Sequence, residues 1–240
     1  MNESIRQRLA ENWRDVVCDV RESEQASGRP SGCVQIIGVT KYVNTELTVA
    51  LVDAGCCQLG ENRPQVLWKK TKEHAFDTAV RWHMIGHLQR NKVRRTLELN
   101  PVVHSVDSQR LLDTIVAEAE TQRRVIDVLI EVNISGETAK TGINPAAAEA
   151  LINSVPPAAD DDVPRVRVRG LMAMASHADH PDHTRQQFAK VRELRDTLQT
   201  STGRELPELS MGMSADFRQA IAEGATMVRI GSRIYEGVRE

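Results

Sequence analysis

Aromatic residues make up only 3% of the 240-residue chain, too few rings to build a base-stacking platform for single-stranded nucleic acid. Positive charge is not in excess either. With 31 basic and 33 acidic side chains the formal net charge is −2, so nothing points to bulk nucleic-acid affinity. Cysteine is scarce: Cys18, Cys33, Cys56 and Cys57 form no Cys-x-x-Cys pair, which argues against a disulfide framework and a structural zinc site alike. Reduced thiols in a cytoplasmic protein are expected, with Cys56-Cys57 as half-buried core thiols. No apolar run approaches the roughly 20 residues of a membrane span, and the opening Met-Asn-Glu-Ser-Ile-Arg lacks a signal peptide's apolar segment. No membrane contact is expected.

What the chain does have is 40% hydrophobic residues, enough for a real core in one large or two small domains. Ile5, Leu9, Trp13, Val16, Val17 and Val20 recur at helical spacing and predict an amphipathic helix over residues 2 to about 23. It precedes everything else and is expected to pack outside the main fold, as an added element over residues 1–24. Ser27 to Gly32 reads as a connector. The run from Val34 to Val39 is then β-branched at most positions, the composition of a strand buried on both faces. Strands and helices alternate from there. Further strands are expected at Cys57–Gly60, Trp82–Gly86, Pro101–Val106, Val125–Val132, Val166–Ala175, Glu208–Ser210 and Thr226–Ile230. Helices are expected to follow at Asn44, where Asn44 caps, and at Arg63–Lys72 and Arg90–Leu99. Others should start after Asp107 or Ser108 and cover Pro145–Val155, Pro181–Leu198 and Ala215–Ala222.

Eight strands alternating with helices is the pattern of a single α/β domain over residues 1–240, a (β/α)8 TIM-like barrel with an additional N-terminal helix. A doubly wound sheet is the competing arrangement. Even strand spacing, and the lack of Gly-x-Gly-x-x-Gly after the first strand, favour the barrel. The one composition break, Pro156 to Pro164, reads as a solvated acidic loop.

A barrel puts its chemistry at the carboxyl ends of its strands. That rule selects Lys41, Glu61-Asn62, His87, Asn133, Met174 to His177, Ser210 to Ser214 and Gly231-Ser232. A lysine at the mouth of a buried strand can act as a nucleophile; equally, its stem can carry the ammonium out to water. The loops after strands seven and eight are a recurrent phosphate site, and Ser210-Met-Gly-Met-Ser214 and Gly231-Ser232 offer backbone amides and hydroxyls there. A phosphate site facing a strand-end lysine suggests a carbonyl compound carrying phosphate, of which pyridoxal 5′-phosphate is the commonest that lysine binds as a Schiff base. Arg229, just inside the end of strand eight, could donate to its pyridine nitrogen. Taken alone, Arg229 reads more readily as a barrel-end ion pair.

Gly38-Val-Thr-Lys41, Gly60-Glu-Asn62, His83 to Lys92, Gly170-Leu-Met-Ala-Met174, Leu209 to Ser214 and Val228-Arg-Ile-Gly231 together resemble the YggS/PROSC family of pyridoxal phosphate homeostasis proteins. The match runs in order along nearly the whole chain. The resemblance implies a barrel like the N-terminal domain of alanine racemase, with pyridoxal 5′-phosphate on Lys41 as a Schiff base. It implies phosphate contacts from Ser214, Gly231 and Ser232, Asn62 beside the cofactor, and Arg229 at the pyridine nitrogen. Ser232 stands where many relatives have threonine. The resemblance also implies that the second, β-rich racemase domain and its tyrosine base are missing, and neither Tyr42 nor Tyr235 is an evident replacement. The expectation is therefore a monomeric, cytoplasmic holder of pyridoxal phosphate that serves its homeostasis and delivery, with pyridoxal-phosphate-dependent apoenzymes as partners. The alternative is an active fold-type III racemase or lyase.

Other features suggest less. Ser176 to His183 matches no structural zinc spacing, and Asp182 is placed to cap a helix. Arg90, Lys92, Arg94 and Arg95 read as a solvated helix face rather than an RNA site. Asn62 could equally cap the following helix. Lys140 could attract phosphate or be an ordinary loop lysine.

Overall fold

In the computed structural model, which describes residues 2–134, 141–156, 164–176 and 181–238, eight parallel strands close into a barrel in sequence order. They are β1 (Gln35–Val39), β2 (Gln58–Glu61), β3 (Arg81–Met84), β4 (Val102–Val106), β5 (Ile126–Glu131), β6 (Val166–Met172), β7 (Glu208–Met213) and β8 (Met227–Ile230). The helices are α1 (Glu3–Ala26), α2 (Thr45–Asp53), α3 (Pro64–Glu73), α4 (Arg90–Leu97), α5 (Gln109–Gln122), α6 (Ala148–Asn153), α7 (Pro181–Thr202) and α8 (Phe217–Ala222). The doubly wound alternative is excluded because β8 pairs with β1, placing Ile37 opposite Arg229 and Gly38 opposite Ile230. Lys140, His177–His180 and most of the acidic loop, residues 157–163, lie outside the described residues.

The main core lies between barrel and helices, where the β-branched strand faces meet apolar helix stripes such as Leu111, Leu112, Ile115 and Ala119 of α5. Each fully buried Leu or Ile there contributes about 1.5–3 kcal/mol. Helix α1 runs two to three residues past its expected end. The Glu24 carboxylate accepts from the amides of Gly32 and Val34, both at 2.7 Å, so α1 is tied to the segment that feeds β1. Leu9, Trp13, Val16 and Val20 fix its buried face outside the barrel, where it packs on α2 and α8.

Several local expectations need correction. Ser108 stands at the start of α5 without capping it, because its hydroxyl donates to Asp107 instead. The expected helix from Pro145 divides into a 3-10 turn, Pro145–Ala147, and α6. Asp182 sits inside the first turn of α7 rather than ahead of it. Cys56 is fully buried, and burial pushes its thiol up to about 12, whereas Cys57 is exposed. Among the described residues no helix is long and apolar enough to cross a membrane.

Gly170 explains one glycine of the sequence pattern. It pairs with Glu208 across the β6–β7 ladder at φ +154, and a Cβ there would lie 1.8 Å from the Glu208 carbonyl oxygen. Gly170→Ala must therefore push β6 off β7. Urea denaturation is expected to show a loss of about 3 kcal/mol or more, in the range for overpacking combined with backbone strain.

Candidate functional site

At the carboxyl ends of β1, β2, β7 and β8 lies a cavity of about 340 Å³ lined by Val39, Lys41, Tyr42, Asn62, Ile85, Met174, Met213, Ser214, Ala215, Arg229, Gly231 and Ser232. The six residues that the resemblance places at the cofactor, Lys41, Asn62, Ser214, Arg229, Gly231 and Ser232, are all in this set. A second cavity of about 310 Å³ opens at the other mouth, among Gln58, Arg81, His83, Asp127, Arg167 and others. There Arg81 and Arg167 both pair with Asp127, which ties strand starts together, the stabilising role expected of that end.

Lys41 follows β1 directly. The Val43 amide donates to the Thr40 carbonyl at 3.1 Å, so Lys41 and Tyr42 are the central residues of a turn that leans over the cavity. Lys41 is half-buried and Tyr42 exposed, with the ammonium 4.8 Å from the tyrosine ring centroid. Asn62 follows β2. The capping alternative fails for it, since Arg63 holds the position ahead of α3 and no side chain caps that helix. The Asn62 Oδ1 is buried without a hydrogen-bond partner among the described residues, an arrangement that costs free energy unless a ligand satisfies it. Gly86 permits it: a Cβ at position 86 would come within 2.4 Å of the Asn62 carbonyl oxygen.

Ser214 and Gly231 bring two potential anion donors together, the Gly231 amide donating to Ser214 Oγ at 3.2 Å. Asp216 holds this turn by accepting from the Met213 amide at 2.5 Å. Arg229 is buried, and its surroundings overturn the ion-pair reading. Its guanidinium donates to the Ser210 carbonyl and hydroxyl, both at 2.7 Å, and to the Ala173 carbonyl at 3.0 Å, and it forms no ion pair among the described residues. A guanidinium has about five N–H donors; these three bonds leave about two for the cavity. Burial lowers the Arg229 guanidinium to about 10, so it stays charged at neutral pH.

Arg229 is also the first link of a polar row through the barrel. Ser210 Oγ lies 2.9 Å from His104 Nδ1, His104 Nε2 lies 2.8 Å from His83 Nδ1, and His83 Nε2 lies 2.8 Å from Gln58 Oε1. Ile37, Leu129, Met172 and Met227 form a small apolar cluster of their own. Complete burial pushes His83 down to about 3 and His104 well below its ordinary value.

Not every strand end contributes. Glu61 turns away from the cavity to bind Lys70. His87 is exposed and pairs with Asp107 at 3.1 Å, and neither it nor Asn133 lines the cavity. In the basic run, Lys92 and Arg95 lie over the Trp68 ring, at 5.7 and 4.3 Å from its centroid. Sequence reasoning missed the polar row and the cavity position of Tyr42. The available signal for the row was a polar residue, Gln58, His83, His104 or Ser210, in each of four strands that are buried over most of their length.

Residues 30–238 match the family model described as alanine racemase, N-terminal domain. The chain belongs to this family. The pyridoxal phosphate homeostasis protein of Aquifex aeolicus is 39% identical over 216 residues, 90% of this chain and 92% of that relative. Among solved structures, PipY of Synechococcus elongatus with PLP bound superposes with a TM-score of 0.77 at 30% identity, covering 90% of this chain and 99% of PipY. Alanine racemase of Corynebacterium glutamicum shares the fold, with a TM-score of 0.70 at 17% identity, covering 96% of this chain and 60% of the racemase.

The histidine row of this family member has a measurable consequence. Its folded-state histidines resist protonation while the unfolded chain takes up protons below about pH 6.5. Stability due to them is fully present above that pH and is lost as pH falls towards 3. Denaturation between pH 6.5 and 4.5 should show a slope of up to about 1.4 kcal/mol per pH unit for each histidine. His104→Asn should have a shallower slope than wild type.

Proposed function

We propose that this chain binds pyridoxal 5′-phosphate, anchors it on Lys41, and serves intracellular homeostasis and delivery of that cofactor without strong catalysis of its own. The observation that carries the reading is the shared cavity. One strand-end lysine, a buried unpartnered amide oxygen, a converging amide and hydroxyl, and a buried arginine with unused donors all border the same 340 Å³ space. Relatives that match the chain over most of its length are named for pyridoxal phosphate homeostasis, and PipY was solved with PLP bound.

These residues fit the group. When bound, pyridoxal phosphate supplies an aldehyde that condenses with a lysine amine, one water leaving as the C=N bond forms. Ser214, Gly231 and Ser232 would hold the phosphate, and Asn62 the face beside the anchor. Arg229 would donate to the pyridine nitrogen. Being charged, Arg229 can only donate, so it would keep that nitrogen unprotonated and leave the ring a poor electron sink. Apart from Lys41 and Arg229, Tyr42 is the one titratable residue among the described lining residues. It is the neighbour of Lys41 on the same turn and offers no base from an opposite face. A strong racemase needs both a good sink and two bases.

The reading predicts a yellow protein after incubation with pyridoxal phosphate. Borohydride should fix one cofactor on Lys41, located by mass spectrometry, and Lys41→Ala should trap none. A wild-type protein that stays colourless and cannot be loaded overturns the proposal. Cofactor-dependent loss of alanine chirality that disappears in Lys41→Ala would replace it with the enzyme reading.

A further inference from the structure

Lys70 occupies a place where the helix pattern calls for an apolar side chain. Pro64, Leu67 and Lys70 form the buried stripe of α3, and the lysine side chain is only 2% exposed. Lysine is almost never so buried unless it is paired. Its partners are all at the end of β1 and β2. The ammonium donates to the Glu61 carboxylate, and to the Thr40 carbonyl at 2.8 Å. The Thr40 hydroxyl donates to the same Glu61 oxygen at 2.6 Å, and the Thr40 amide to the Gly60 carbonyl at 2.9 Å. All three side chains are buried.

The carbonyl that Lys70 holds is the one that closes the turn carrying Lys41, since it also accepts from the Val43 amide. It belongs to the Thr40–Lys41 peptide, whose planarity transmits any rotation of that carbonyl directly to the Lys41 Cα. Glu61 in turn immediately precedes Asn62. Lys41 and Asn62, which border the cavity, thus each follow a residue held by the buried ammonium.

Stability alone does not account for the pair. Replacing a buried ion pair by apolar groups of similar volume is often neutral or stabilising, and Glu61 Oε2 is left buried with no partner among the described residues. Burial also pushes the Lys70 ammonium down from its ordinary value, with Glu61 acting against that shift.

We propose that Lys70 and Glu61 are a positioning pair that fixes the turn bearing Lys41, and through it the hold of the protein on its cofactor. The proposal rests on the reading of Lys41 as the anchor. Its test uses the full chain as apo and as pyridoxal-phosphate-loaded protein, comparing wild type with Glu61→Gln/Lys70→Met and with Lys70→Arg. The double variant keeps side-chain volume and removes both charges. It should melt, as apo protein, at or above the wild-type temperature. At the same time its Val43 amide should exchange with deuterium at least tenfold faster. The loaded form should release pyridoxal phosphate to an excess of a competing apoenzyme at least tenfold faster. The pH midpoint of its visible band should also move from the wild-type value. Lys70→Arg, which keeps the charge and some donors, should recover part of the slow release.

A double variant with wild-type exchange, release rate and midpoint overturns the proposal. If the double variant does not fold, Lys70→Arg with wild-type release and exchange overturns it, and faster release with an unchanged apo melting temperature supports it. Borohydride trapping on the wild type separates the two layers. A wild type that traps nothing on Lys41 removes the anchor and both readings fall; one that traps on Lys41 while the variants behave like it removes the positioning pair alone.

Discussion

The site depends on the seam where β8 pairs with β1. Lys41 and the Gly231-Ser232 turn come from opposite ends of the chain, and the register of Gly38 against Ile230 delivers them to the same mouth. Nothing local in either strand achieves that. The seam exists because each strand from β1 to β7 is followed by a helix that returns the chain in the same direction, and because the eight parallel strands close without an edge. Parallel pairing also puts every carboxyl end on one face, so turns with no sequence proximity become one cavity wall.

The alternation itself was legible because it rests on local physics. β-branched runs mark strands, Asn44 both reads and acts as a cap, accepting from the Leu47 amide at 2.9 Å, and α1 follows its apolar spacing. Errors fell where a local rule met a competing partner. Ser108 had the composition of a cap, but the neighbouring Asp107 carboxylate took its hydroxyl. The apolar spacing of α1 ends at Val20 and gives no sign of its last turn, where Glu24 binds backbone amides of the next segment.

At the mouth of the barrel, Lys41, Asn62, Ser214, Gly231 and Ser232 were legible from one rule about strand ends, and Arg229 from its place just inside the end of β8; the family resemblance gathered them around one proposed cofactor. What the sequence concealed lies one layer deeper. Lys70 sits in a run of lysines, Lys69-Lys70 and Lys72, whose spacing says only that the helix is polar. Its burial is a property of how α3 packs against the ends of β1 and β2, where Thr40 and Glu61 receive it. His83 and His104 are similar cases. Nothing in Trp-His-Met or Val-His-Ser states which residue points inward, and the pairing of their rings is a fact of barrel radius and stagger. Arg229 reads as half of an ion pair until the carbonyls of Ala173 and Ser210 are seen to surround it.

The polar row running from Arg229 to Gln58 has a handedness of its own. Gln58 Oε1 can only accept, so His83 Nε2 carries its hydrogen and Nδ1 does not. His104 Nε2 must then be protonated to serve His83, and its bare Nδ1 takes the hydroxyl hydrogen of Ser210. Ser210 Oγ is left to receive from Arg229, which is all a guanidinium can do. The assignment closes identically from either end. Both imidazoles are thereby locked in a single tautomer, and the four links align as a stack of dipoles along the barrel. Reversing one link would set two lone pairs or two hydrogens face to face, so the row resists piecemeal change. A barrel interior that looks like passive filling is in this sense polarised, with its cationic head beneath the cavity.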